Sequence, residues 1–192
     1  MRNILKNRRA LSTVVTTLII LVVSVLLAGV VTYFAINVVS TRVQQESLNL
    51  QYQHVWFSTS EGAAEAAIMI TNTGGRDVVL QNIAVRGQTV QPADVFYFPV
   101  TTLGDLHYVS QNPTNITTTT TAPSGFGYTG TFKQTSTITL TSGTTIAVYM
   151  TESATGNVAP GSVTVNDVGL TIAISIFSAQ ATYYKETNVN AA

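Results

Sequence analysis

The chain has no cysteine in its 192 residues, which removes disulfides, thiolate metal sites and cysteine nucleophiles at once. Charge is nearly as scarce. Only 9% of the residues are Asp, Glu, Lys or Arg, so the surface must be hydrated mainly by hydroxyls and amides. Four of the nine basic residues, Arg2, Lys6, Arg8 and Arg9, are crowded into the start of the chain. Beyond them, five basic side chains face nine acidic ones, a net of −4, and such a balance offers no footprint for nucleic acid. Histidine occurs twice, as His54 and His107, with no second ligand at metal spacing beside either. His54 is expected near the end of a long helix, His107 on a strand or its edge. Neither a phosphate-cradling glycine loop followed by Lys-Ser/Thr nor a Gly-x-Ser-x-Gly elbow is present. Glu61 and Glu65 stand four apart, but Gly62 and the strand pattern after it deny them a shared helix face. No catalytic residue, metal ligand or cofactor is expected, and the chain reads as a non-enzyme.

What is present is a long apolar run. Between Arg9 and Arg42 lies ALSTVVTTLIILVVSVLLAGVVTYFAINVVST, without one charged residue. At ~1.5 Å rise per residue a helix of this length reaches roughly 45 Å, whereas the hydrocarbon core of a bilayer takes only ~30 Å. A secretory signal peptide has an apolar stretch of about 7–15 residues ending in a small-residue cleavage site, so this run is too long for one. The pattern predicts a helix over residues 11–54, crossing a membrane and continuing beyond it through Gln44, Gln45 and Glu46 toward Tyr52. The basic head fixes its orientation, because Lys and Arg stay on the cytoplasmic side. Everything after about Tyr33 is then outside.

From Glu61 onward the helical period gives way to short alternating runs bounded by turn residues, the signature of strands. Strands are expected over 66–72, 78–85, 95–100, 106–110, 136–141, 144–150, 162–165, 170–177 and 180–186. Gly74-Gly75 and Ser142-Gly143 read as hairpin turns that use glycine's access to positive φ. In the run starting at Leu170, the residues Leu170, Ile172, Ile174 and Ile176 share one face, with Thr171, Ala173 and Ser175 opposite. The aromatic residues Trp56, Phe96, Tyr97, Phe98, Tyr149 and Phe177 read as packing residues. The fold class expected is α+β: a long N-terminal hydrophobic helix followed by an antiparallel, immunoglobulin-like β-sandwich over residues 55–192. Residues 112–123, NPTNITTTTTAP, have too little apolar content for a core strand and are expected on the outside. Asn115-Ile116-Thr117 is an acceptor sequence for N-glycosylation at Asn115, whereas proline disqualifies Asn112-Pro113-Thr114.

Lys6-Asn7-Arg8-Arg9-Ala10 followed by Leu11-Ser12-Thr13-Val14-Val15 resembles the class III signal peptide of archaeal type IV pilins and archaellins. The resemblance covers about the first 52 residues well and the β-rich remainder loosely, where residues 68–78, IMITNTGGRDV, are similar to strand-turn-strand segments of archaeal pilins. It implies a basic leader, residues 1–10, that a prepilin peptidase removes between Ala10 and Leu11 after reading Arg8 and Arg9. The precursor would sit in the membrane with its N-terminus cytoplasmic. The mature subunit would polymerise into a surface filament, a homo-oligomer extruded by a secretion ATPase and a polytopic membrane platform, for adhesion and cell-cell contact. Two positions depart from the wider pattern: Ala10 replaces the commoner glycine, and Val15 stands where bacterial type IV pilins place a glutamate. The second suits an archaeal relative. An archaellin, building a swimming filament, and an anchored extracellular binding protein that never polymerises are the alternatives.

The helix itself bears on that expectation. Thr16, Ile20, Ser24, Ala28, Thr32, Ile36 and Ser40 fall on one four-residue row, and small side chains on a row let helix backbones approach. A row taken at any offset would also collect some small residues here, so the absence of charge says more: a helix buried among identical copies cannot leave an ion unpaired. Ser24, Ala28, Gly29 and Thr32 are the expected packing positions. Thr13, Thr16 and Thr17 are expected to return their hydroxyls to carbonyls one turn back. Cleavage would act as a switch, since withdrawing the leader's four charges through hydrocarbon costs ~2.5–3.5 kcal/mol each.

Overall fold

The computed structural model describes residues 5–109, 116–151 and 162–192, with side chains from Leu11 onward except that of Arg42. It divides into two compact units, Met1–Gln44 and Gln45–Ala192. The first is a single helix, α1, Leu5–Val43. It stops well short of residue 54, where the apolar run had suggested it would end. From Leu48 the sequence alternates, LNLQ, and Leu48 and Leu50 are buried while Asn49 and Gln51 are not. That period of two belongs to a strand, and the segment is the first strand of the second unit.

The second unit consists of β1 (Leu48–Ser58), β2 (Ala63–Asn72), β3 (Val78–Val85), β4 (Gln88–Thr89), β5 (Val95–Val100), β6 (Ile138–Leu140), β7 (Thr145–Thr151), β8 (Thr171–Ser178) and β9 (Thr182–Ala191). They form one curled sheet in the order β4-β3-β8-β9-β1-β2-β7-β5, with β6 pairing β3. The architecture is thus α+β, with a half-barrel of strands after the helix. All pairings are antiparallel except β1 with β9, which run parallel through Val55↔Val189, Trp56↔Asn190 and Phe57↔Ala191. Just before that seam β1 bulges. Gln51 and His54 pair with Met69 and Ala67, so β1 carries one residue more than β2, and Tyr52 inside the bulge has φ 51°. A bulge of this kind increases local twist.

β3 and β5 occupy the residues expected. Residues 106–109 are irregular instead of a strand, residue 110 lies outside the described residues, and residues 162–164 lead into a 3-10 turn at Val165–Asp167. Leu170 precedes its strand and is half exposed, so the buried face of β8 is Ile172, Ile174 and Ile176 without it.

The sheet has two hydrophobic clusters, one on each face. Inside the curl, Val55, Ile68, Ile70, Val85, Val148, Met150, Ile174, Ile176 and Val189 pack together. On the outer face of β2, β7 and β5, Met69, Phe96, Phe98, Ala147 and Tyr149 meet Leu106, Ile116, Ala122, Phe126 and Phe132 from the segment between β5 and β6. β2 and β7 are therefore buried on both faces. Of the Thr-rich loop, residues 112–115 lie outside the described residues; Thr117, Thr118, Thr119 and Thr121 are exposed, as expected, but Ile116 and Ala122 turn inward to cover this second cluster.

Residues 45–47 are fixed to the sheet by hydrogen bonds. The Ser47 carbonyl accepts the N–H groups of Thr73 (2.9 Å) and Gly74 (3.1 Å), and buried Glu46 accepts the Ser178 hydroxyl at 2.7 Å. Gly74 is required by this close approach and not by positive φ. A methyl there would sit 2.7 Å from the Gln45 oxygen and 2.8 Å from the Ser47 nitrogen. Gly143, by contrast, has φ 76° and open space around it. The strands it joins do not pair with each other: β6 pairs with β3, and β7 with β2 and β5. β2 and β3 do not pair with each other either, so neither glycine turn closes the hairpin expected of it. Gly74→Ala is therefore expected to cost ~1–3 kcal/mol through forced displacement. Gly143→Asn should cost less than about 1 kcal/mol, because Asn tolerates the left-handed region. Chemical denaturation of the two variants side by side checks the difference.

Candidate membrane-spanning and assembly helix

Within α1, Leu11–Thr41 is a span of 31 residues long and apolar enough to cross a membrane, and every side chain in it is exposed. Leu18, Leu21, Val25, Leu27, Val30 and Phe34 point in all directions around the axis. A helix apolar on all sides is suited to lipid or to burial among other helices. Five of its polar residues do not oppose this, because their hydroxyls are satisfied within the helix. Thr16 donates to the Ser12 carbonyl (2.8 Å), Thr17 to Val14 (2.9 Å), Ser24 to Ile20 (2.6 Å), Thr32 to Ala28 (2.7 Å) and Thr41 to Asn37 (2.9 Å).

Ser24, Ala28 and Thr32 lie on one stripe of this helix, and Gly29 lies beside it. A methyl at Gly29 would meet nothing within 4 Å, so no contact within the chain requires a glycine there. Mid-helix glycine costs ~0.5–1 kcal/mol relative to alanine; what it offers is room for a backbone from elsewhere. Arg8, Arg9 and Ala10 fall in the first turns of α1, and Leu11 is exposed on it. Asn115 lies outside the described residues.

Sequence reasoning missed a polar cluster on the second unit. His54 is on β1 and not on a helix, and its Nε2 is 2.6 Å from Asp105 Oδ1. The His54 ring stacks on Trp56 at 5.1 Å, and Trp56 meets the edge of Tyr108 at 6.2 Å. The Tyr108 hydroxyl donates to Glu61, and fully buried Glu65 accepts the Val109 N–H at 3.0 Å. His107 is exposed, and its carbonyl accepts the Tyr149 hydroxyl at 3.1 Å. These contacts strap residues 105–109 across the outer cluster. No signal in the sequence joins His54 to Asp105, since fifty-one positions separate them. Among the described residues no group of three His, Asp or Glu side chains is placed to hold a metal ion.

Burial pushes the phenols of Tyr108 and Tyr149 above their ordinary range, reinforced at Tyr108 by the hydrogen bond to Glu61 and at Tyr149 by the nearby charge of Glu65. A folded value raised above the unfolded one gives stability that is complete below about pH 10 and lost as pH rises through the folded value. An absorbance titration is expected to show these two tyrosines ionising only as the sheet unfolds in alkali. Tyr149→Phe should remove part of that alkaline sensitivity.

The chain matches no known family model, and no curated protein matches it.

Proposed function

We propose that the chain is a structural subunit of an archaeal type IV pilus, made as a membrane-inserted precursor, trimmed after Ala10, and polymerised through α1. The observation that carries this is the exposed, charge-free span Leu11–Thr41, about half as long again as the ~20 residues a bilayer requires. Excess apolar length, with the hydroxyls of Thr16, Thr17, Ser24, Thr32 and Thr41 returned to the helix backbone, suits a helix that leaves lipid for a bundle of identical helices. The second unit would form the exterior as an immunoglobulin-like head, its curled halves closing around the inner cluster. Its role would be adhesion and cell-cell contact and not catalysis. A prepilin peptidase, a secretion ATPase and a membrane platform would be its partners in assembly.

Processing tests the proposal. Mass spectrometry of surface filaments should find chains that begin at Leu11. Arg9→Ala and Ala10→Leu should leave the precursor in the membrane, because the peptidase must read a charge beside a small residue. Filaments whose peptides still join residue 10 to residue 11 would overturn trimming. A chain that keeps its leader and forms no filament would be an anchored display protein. Gene deletion separates the two filaments: loss of attachment alone marks a pilin, loss of swimming alone an archaellin.

A further inference from the structure

Only residues 44–47 separate the end of α1 from Leu48, the first residue of β1, so any pull that α1 transmits enters the sheet through β1. The strand registers fix where that pull arrives. Leu48, Asn72 and Ser178 lie at the entry end of the sheet, and Ser58, Ala63, Thr171 and Val189 at the far end. For a strand of 11 residues the two ends are roughly 35 Å apart. A load between them runs along the strands and across the ladder bonds, so all the bonds that hold β1 share it at once. Drawing two neighbouring strands apart from one end instead opens a ladder bond by bond.

β1 is gripped on both sides. It pairs with β2 from Leu48↔Asn72 to Ser58↔Ala63, and the bulge between Gln51 and His54 pins that register, which opposes slippage by one pair. On its other side lies the β9 seam, the one parallel pairing among the described residues. Hydrogen bonds extend the seam in both directions. The Ala192 N–H donates to the Phe57 carbonyl at 3.1 Å, the Thr187 hydroxyl to the Gln53 carbonyl at 3.1 Å, and the Gln53 amide to the Glu186 carbonyl at 3.3 Å.

A parallel pair is slightly weaker per residue than an antiparallel one and needs a long crossover. What the parallel direction provides is a connection to the far end. There the Gly169 N–H donates to the Val189 carbonyl at 2.8 Å and the Val189 N–H to the Leu170 carbonyl at 2.9 Å. The turn before them is braced as well, because Asp167 accepts the Thr164 N–H at 2.8 Å and pairs with Arg86 at 3.0 Å. Val189 therefore joins this turn directly to Val55 on β1.

We propose that β1, held between β2 and the parallel β9 seam, is a mechanical clamp that keeps the second unit folded while tension runs from α1 to the far end of the sheet. The inference rests on the filament reading for the source of the load, since a subunit held by its helix and attached at its far end is pulled along this line. It rests on the sheet alone for the resistance.

Force spectroscopy on single full-length chains in lipid nanodiscs tests the clamp. The chain has no cysteine, so introduced pairs can carry the handles, and Gln44, Arg76 and Asn166 are all exposed. Gln44→Cys with Asn166→Cys loads β1 along its axis. Gln44→Cys with Arg76→Cys draws β1 and β2 apart from the entry end. At one loading rate the first pair should unfold at several times the force of the second. Asn190→Pro, in the middle of the seam, cannot donate a backbone hydrogen bond and should lower the first force while leaving the second unchanged. Gln53→Ala/Thr187→Val, which removes only side-chain bonds, should give a smaller drop in the same direction with an unaltered circular dichroism spectrum, and it stands in if the proline variant does not fold. Equal forces in the two directions, or a first force that the seam variants leave unchanged, would overturn the clamp. Isolated chains suffice for these readings, so the clamp and the filament proposal fail separately.

Discussion

Ala28→Asp is expected to abolish filaments while leaving membrane insertion intact. Ala28 is exposed in the middle of the apolar span, on the stripe with Ser24 and Thr32. In a bilayer one carboxylate at mid-helix costs ~2.5–3.5 kcal/mol, which a span this long can absorb. In a bundle of identical helices every subunit would repeat the charge with no counter-ion, and a buried charge without a partner costs about 3–5 kcal/mol. The protein should accumulate as processed monomer in membranes, and electron microscopy should find no filaments. Ala28→Ser should assemble, because a serine hydroxyl can return to the carbonyl one turn back as Ser24 does. Normal filaments from the aspartate variant would sink the buried-helix proposal.

Phe98→Ala is expected to be the most damaging single truncation in the second unit. The ring is fully buried on the outer face of β5 and meets Phe132 at 5.4 Å, Phe126 at 5.7 Å, Tyr128 at 5.9 Å and Tyr149 at 6.1 Å between centroids. Emptying such a site costs ~3–5 kcal/mol, a large part of the 5–15 kcal/mol that holds an ordinary domain together. Phe177, on the outer face of β8 and about a third exposed, should cost no more than about 1 kcal/mol when cut to Ala. Denaturant titration of both variants compares them, and limited proteolysis should find the Phe98 variant opened first between β5 and β6. Equal losses from the two would mean that the outer cluster is not a core.

The helix was legible because its information is local. Thirty-one residues without charge permit little except an apolar helix, and the hydroxyl bonds of Thr16 and Thr17 follow from helix geometry. Strands such as Val78–Val85 and Val95–Val100 were legible for the same reason, since a period of two bounded by turn residues is written in a short window. The helix's end was misplaced because Gln44 to Tyr52 contains no proline or glycine to stop it. Pairing with β2 and β9 is what makes Leu48–Ser58 a strand.

What the sequence determined by itself was thus the apolar span, the charge-poor β-rich remainder, the basic head and the absence of any cysteine chemistry. Tertiary structure decided the rest. It set the curl of a single sheet with a parallel β1–β9 seam, because strand order depends on pairings between segments more than a hundred residues apart. It created the second core, because β2 and β7 become two-sided only when Ile116, Phe126 and Phe132 fold over them. It placed Asp105 beside His54 and the Gln45 carbonyl against Gly74. Each of these depends on distances through space, and a local pattern of residues carries no record of them.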